Sequence, residues 1–179
     1  MDNLQITKIL KNLSETQSLF QGCYKNDDIP FNLLSRRHCF FIVNTSINAN
    51  TMGHWLLFYI KDFNLYFFDS FGLTPFNYGG DVHSFFNQYN NLKTLVFKSP
   101  IQSDSSYVCG AYVIYFGFIM SKNYSYLFLK KKFTKNKRKN DSLVSNFIYK
   151  ITRTQIKCNS SFCPSYMFLT SCRKFCSCK

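Results

Sequence analysis

The chain has 179 residues, 46% hydrophobic and 19% aromatic, with 22 Lys+Arg against 9 Asp+Glu and a formal net charge of +13. This length and apolar content exclude a disordered segment and fit one folded domain with at most a short appendage. The basic balance favours polyanions or anionic surfaces as partners, with solubility as the plainer reading.

Leu4, Ile6, Ile9, Leu10 and Leu13 stand near helical spacing and predict an amphipathic helix over residues 2–13. Residues 14–37 read as polar and irregular, with Asn26-Asp-Asp-Ile-Pro30 marking a loop. Cys39-Phe-Phe-Ile-Val43 predicts a buried strand, and residues 55–60 a second one. Lys61-Asp-Phe-Asn64 reads as the turn between that strand and a returning strand over 65–68. Gly72, Pro75, Gly79 and Gly80 mark a loop, followed by a helix over 82–92 and a fourth strand over 94–97. Residues 109–120 form an apolar central helix. Residues 130–139 hold seven cations in ten positions and read as a linker-like charge block. Leu143, Phe147, Ile148 and Ile151 predict a last helix near 143–156. Strands in the middle and helices at both ends make an α+β domain, with a small mixed or antiparallel central sheet flanked by helices.

No signal-peptide pattern is visible, and the longest apolar run, residues 108–120, is interrupted by Gly110 and Gly117 and too short for a bilayer. The expectation is a soluble, intracellular protein with no membrane partner. Eight cysteines without a secretory signal argue against a disulfide scaffold. Cys23, Cys39 and Cys109 are scattered, whereas Cys158, Cys163, Cys172, Cys176 and Cys178 crowd the end. A domain over residues 1–157 and a Cys-rich tail over 158–179 follow, with the basic block inside the domain. Cys172-x3-Cys176-x-Cys178 offers clustered thiolates, but the spacing fits no common zinc signature and the tail holds no His. Structural zinc, exposed thiols and oxidised pairs stay open there, and no metal site is assigned.

A lone cysteine is more often a small core residue than a nucleophile. Cys109 differs because Gln102-Ser-Asp-Ser-Ser-Tyr-Val delivers it to the start of a helix, followed by the small residues Gly110 and Ala111. Helix N-terminal amides carry partial positive charge and favour the thiolate. Three histidines are present. His38 follows Arg36-Arg37, His83 sits in a polar helix start, and His54 opens an apolar strand in Gly53-His54-Trp55. A turn centred between Asp62 and Phe63 pairs positions that sum to about 125. That register sets His54 opposite Phe71, with Asp69 a diagonal neighbour on the same face, roughly 7–8 Å away. Asp69 is then placed to accept the Nδ1 proton of His54 and stabilise the imidazolium. Asp62, the rival acid, lies at the turn. The Cys109 N–H and the Gln102 amide are candidate donors to an oxyanion. In chain order His54, Asp69, Gln102 and Cys109 supply the parts of thiol-based acyl transfer.

These segments resemble the adenovirus-type cysteine proteases (adenain), of the same clan as the SUMO-deconjugating proteases. The similarity runs through Phe20-Gln-Gly22 with Ile29-Pro-Phe31, Phe41-Ile-Val-Asn-Thr45 with Gly53-His54-Trp55, Tyr66-Phe-Phe-Asp-Ser-Phe-Gly72, and Gln102 seven residues before Cys109-Gly110. It covers roughly residues 1–121 and more weakly the last helix. The resemblance implies a papain-like site with its nucleophile at the N-terminus of a central helix. It makes His54 the general base, Asp69 its orienter, Cys109 the nucleophile and Gln102 an oxyanion donor. It also implies a monomeric viral endopeptidase that cleaves virion precursor polypeptides near Gly-containing motifs, in the virion or at a nuclear or other assembly site. No cofactor is needed for the chemistry, and activation by DNA or a viral peptide is the family pattern. Lys130, Lys131, Lys132, Lys135, Lys137, Arg138 and Lys139 are the candidate DNA contacts, with a solvated linker as the alternative. Two departures stand out. Asp69 replaces the adenovirus Glu and matches the SUMO proteases, and residues 85–101 lack the cysteine that tethers the activating peptide. A deconjugating isopeptidase and a non-catalytic nucleic-acid-binding protein are the competing functions.

Overall fold

The uninterrupted apolar runs become strands buried on both faces, which is why they show no alternation. A computed structural model describes residues 1–46, 53–88 and 93–155. Its sheet has five strands in the order β1-β2-β3-β4-β5: β1 Phe20–Lys25, β2 His38–Asn44, β3 Trp55–Lys61, β4 Asn64–Phe68 and β5 Lys93–Val96. The two outer pairs are parallel and the two inner pairs antiparallel, so the sheet is mixed. Helices α1 Asn3–Asn12, α3 Cys109–Ser121, α4 Tyr126–Lys132 and α5 Lys137–Gln155 share one face, and α2 Gly80–Gln88 covers the other. The α+β class expected from the sequence is the observed one.

Alternate residues of each central strand feed the two cores. Phe40, Ile42, Leu57, Tyr59 and Phe68 pack toward α3, while Phe41, Val43, Leu56, Phe58 and Phe67 pack toward Val82 and Phe85 of α2. Helix α3 is apolar all round because it is covered on every side, by the sheet below and by α1, α4 and α5. At Gly117 an added Cβ would lie 2.8 Å from the Phe40 ring, so this glycine sets how closely the helix approaches β2.

The β3–β4 turn has Asp62 and Phe63 both at positive φ (46° and 62°), a two-residue hairpin turn of the primed kind. Its pairs Lys61↔Asn64 and Leu57↔Phe68 are those of the expected register. Two expectations fail. Strand β1 lies inside the stretch read as irregular. It is an edge strand with one fully buried residue, and its ladder is broken between Phe20 and Cys23, where Gly22 sits at φ 143°. Such a strand carries neither alternation nor an apolar run.

The basic block is not a linker. Lys130, Lys131 and Lys132 close α4, and Lys137, Arg138 and Lys139 open α5, six residues earlier than the apolar spacing suggests. The Asn136 side chain caps α5 by accepting from the Lys139 N–H at 3.1 Å. Buried Asn140 then ties the helix start to two loops. Its amide donates to the carbonyls of Ile101 (3.0 Å) and Thr134 (2.9 Å), and its oxygen accepts from the Thr134 N–H (2.9 Å). The predicted last turn of the 82–92 helix and the whole 158–179 tail lie outside the described residues. Among the described residues no helix is long and apolar enough to cross a membrane. Asn140→Ala removes three hydrogen bonds made by a buried side chain, leaving the Ile101 carbonyl with the Tyr112 hydroxyl alone, and is expected to lower the unfolding free energy by about 1–3 kcal/mol in denaturant titration. A change below about 0.5 kcal/mol would show the network to be unimportant.

Candidate active site

Three separate segments converge at one end of the sheet. His54 extends β3 by one residue: its N–H donates to Thr45 Oγ1 at 2.9 Å, and its carbonyl accepts from the Thr45 N–H at 2.9 Å. Asp69 follows β4 directly, and Cys109 is the first residue of α3. Gly53 leaves room for the Asn44 side chain, which would have to move to admit a Cβ here.

Asp69 is fully buried. One carboxylate oxygen accepts from the His54 ring at 2.5 Å and from the Phe71 N–H at 2.9 Å. The other accepts from the Leu73 N–H at 2.9 Å and the Tyr78 hydroxyl at 2.8 Å. The turn that aims these amides back needs Gly72, which has φ 74° and would place a Cβ 2.7 Å from the Pro100 nitrogen. Burial alone would raise the Asp69 pKa, but the bonds and charge of His54, helped by Phe71 and Tyr78, hold it below the ordinary carboxylate value.

The ring nitrogen facing Asp69 is Nε2, not the Nδ1 expected from the hairpin alone. The Cys109 side chain interacts with the same ring, each group favouring the charged form of the other. The ring stacks on Phe71 at 4.7 Å, the residue placed opposite it in the register. Burial pushes the imidazole pKa down, yet the bonds and charges of Asp69 and Cys109 outweigh it and raise the value to about 9. Burial likewise disfavours the thiolate at Cys109, but the His54 bond and charge and the backbone N–H groups of Trp55 and Gly110 bring its pKa below the ordinary thiol value. Cys23 and Cys39 behave in the opposite way, desolvation pushing both up to about 11. Environment thus separates the thiol of Cys109 from those of Cys23 and Cys39.

Helix α3 has no side-chain cap; its N-cap residue is Val108. Within the first turn the Ala111 and Tyr112 N–H groups donate to the Val108 carbonyl, and the Gly110 N–H supports the Cys109 thiolate. Gln102 is buried at the same end. Its Oε1 accepts from Ser70 Oγ at 2.6 Å and its Nε2 donates to the Ser106 carbonyl at 2.8 Å. All four residues named from the sequence therefore belong to one region.

The other histidines lie elsewhere. His38 bonds the Tyr59 hydroxyl at 2.8 Å, and His83 bonds Asn87 on α2. Asp62 stays at the hairpin tip. Sequence reasoning missed Tyr78 and Ser70, since neither a tyrosine in a Gly-rich loop nor a serine after an acid signals its partner. Among the described residues no cluster of His, Cys, Asp and Glu has the makings of a metal site.

No protein-family model matches this chain, and no curated protein matches it. Among solved structures, the Chlamydia trachomatis effector protein ChlaDUB1 aligns with 84% of this chain and 68% of its own, at 15% identity and a TM-score of 0.49.

The shifts set a pH window with a definite sign. His54 is raised, so the imidazolium is complete at low pH and is lost as pH rises through about 9, while the depressed Cys109 keeps its thiolate below the ordinary thiol range. Iodoacetamide at pH 6 should therefore label Cys109 well ahead of Cys23 and Cys39, as read by peptide mass mapping. In Asp69→Asn the alkaline loss of the imidazolium should move to lower pH, followed by the His54 ring resonances in NMR. Uniform labelling of the three cysteines, or an unmoved His54 titration, would contradict the ion pair.

Proposed function

We propose that this chain is a cysteine endopeptidase. The observation carrying the proposal is the buried relay of Asp69, His54 and Cys109, in which a base, its orienter and a depressed thiol meet although they come from three segments. The Cys109 thiolate attacks a peptide carbonyl, a C–S bond forms, and the oxyanion takes up the Cys109 N–H and the Gln102 amide. His54 gives its proton to the leaving amine as the C–N bond breaks. Water, deprotonated by His54, then hydrolyses the thioester and restores thiolate and imidazolium.

For the substrate we take virion precursor polypeptides cut near Gly-containing motifs during particle maturation, in the virion or at the assembly site. Its support is the similarity of the His54, Asp69 and Gln102–Cys109 segments to the adenovirus-type proteases. The aspartate at position 69 favours a second reading, a ubiquitin-like-modifier isopeptidase that runs the same chemistry. Gly-containing precursor peptides tested beside modifier-derived fluorogenic substrates separate the two by which set is turned over. Cys109→Ala and His54→Ala should each lower kcat by at least about 10³-fold in folded protein. Turnover by Cys109→Ala at the wild-type rate would remove the mechanism, and no turnover of either substrate set by the wild type would leave the nucleic-acid-binding reading.

DNA is the partner we assign to the basic block. Lys130, Lys131, Lys132, Lys135, Arg138 and Lys139 are exposed, and Lys137 is half-buried against Asp104 at 2.8 Å. Duplex affinity should fall linearly with log salt, with a slope of about −0.9 per phosphate contacted. Lys130→Ala, Lys131→Ala and Arg138→Ala combined should flatten that slope by about 2 to 3. An unchanged slope would assign the cations to solvation alone.

A further inference from the structure

Gln102 can donate to an oxyanion only if the nitrogen end of its amide faces the sulfur. The Nε2 contact with the Ser106 carbonyl identifies that end, because a carbonyl oxygen accepts and never donates. The other end is held by Ser70, whose hydroxyl donates to Oε1 at 2.6 Å. Ser70 and Gln102 are 0% and 1% exposed, so water does not compete for either group. The Ser70 carbonyl also accepts from the Ile101 N–H (2.9 Å) and the Gln102 N–H (3.1 Å), fixing the incoming loop as well as the Gln102 side chain. Among the described residues Ser106 is the one acceptor for Nε2, which leaves its second N–H free.

The geometry points to Ser70 as a positioning residue that locks the Gln102 amide with its free N–H toward the reacting carbonyl. This rests on the hydrolase reading above. Adjacent residues then serve the two halves of the chemistry: Asp69 orients the imidazole, and Ser70 orients the oxyanion donor. Without the Ser70 hydroxyl, Oε1 loses its partner, and rotation of the amide presents an acceptor where a donor is needed.

The test uses a reaction that forms an oxyanion and one that does not. An N-acyl-glycine p-nitrophenyl ester acylates Cys109 through a tetrahedral intermediate, releasing p-nitrophenolate. Iodoacetamide is displaced at carbon with loss of iodide and forms no oxyanion. In the full chain, Ser70→Ala should lower kcat for the ester about tenfold, with KM within about twofold. Its alkylation rate at pH 6 should stay within about twofold of wild type. Ser70→Ala added to Gln102→Ala should cost nothing further. Unchanged ester turnover, a parallel fall in alkylation, or multiplying losses would each overturn the assignment. Ser70→Cys, of similar size and weaker donor strength, covers the case in which Ser70→Ala does not fold: a kcat below wild type supports the role, and a wild-type kcat removes it. If the wild-type chain releases no p-nitrophenolate, the hydrolase reading fails. If it turns over and Ser70→Ala matches it, only the role of Ser70 fails.

Discussion

The carboxylate of Asp69 is a full charge with no exposure to water, and the rest of the site is arranged around making that tolerable. Two backbone amides, the Tyr78 hydroxyl and the His54 ring supply the donors that water would have provided. Each donor fixes a piece of chain. Phe71 and Leu73 hold the turn after β4, and Tyr78 holds the loop before α2. That loop is held in turn by the buried side chain of Asn26 at the end of β1, which donates to the Tyr78 carbonyl and accepts from the Val82 N–H. His54 receives the benefit as a raised pKa and supports the thiolate at Cys109.

Cys109 reaches this charge because of packing rather than local sequence. Helix α3 must lie close on the sheet, which Gly117 permits, and its first turn must remain uncapped. The incoming loop is secured from both sides. Ser70 grips Gln102 from the turn after β4, while the start of α5 grips the loop from outside, through Asn140 to Ile101, Asp141 to the Ser103 N–H and Lys137 to Asp104. Part of the basic block thus serves the architecture of the site as well as its surface charge. Cationic residues in the first turn of α5 oppose the helix dipole, and the pairing of Lys137 with Asp104 relieves some of that cost.

The three free cysteines among the described residues show how far environment sets chemistry. Cys39 sits in a strand core and Cys23 on a half-buried edge; burial raises both pKa values and outweighs the Arg36 charge at Cys39 and the Thr7 hydroxyl at Cys23. Cys109 is also largely desolvated, but it has an imidazolium and two backbone N–H groups directed at its sulfur. The same residue type is inert in two places and activated in the third.

Much of this was legible from local pattern. The apolar runs marked β2, β3, β4 and α3, and the Asp62-Phe63 turn determined the hairpin register that puts His54 and Asp69 on one face. Register follows from the turn because side chains alternate with a period of two. Strand β1, the early start of α5, the Nε2 orientation of His54 and the partners Tyr78 and Ser70 were decided only by tertiary structure. An edge strand needs its neighbour to exist, a helix start rich in cations needs its caps, and a hydroxyl reveals its role only when the acceptor it satisfies has been folded against it. The sequence by itself determined which reactive residue types were present and in what order along the chain. The fold decided which atom faces which, because those contacts join residues tens of positions apart.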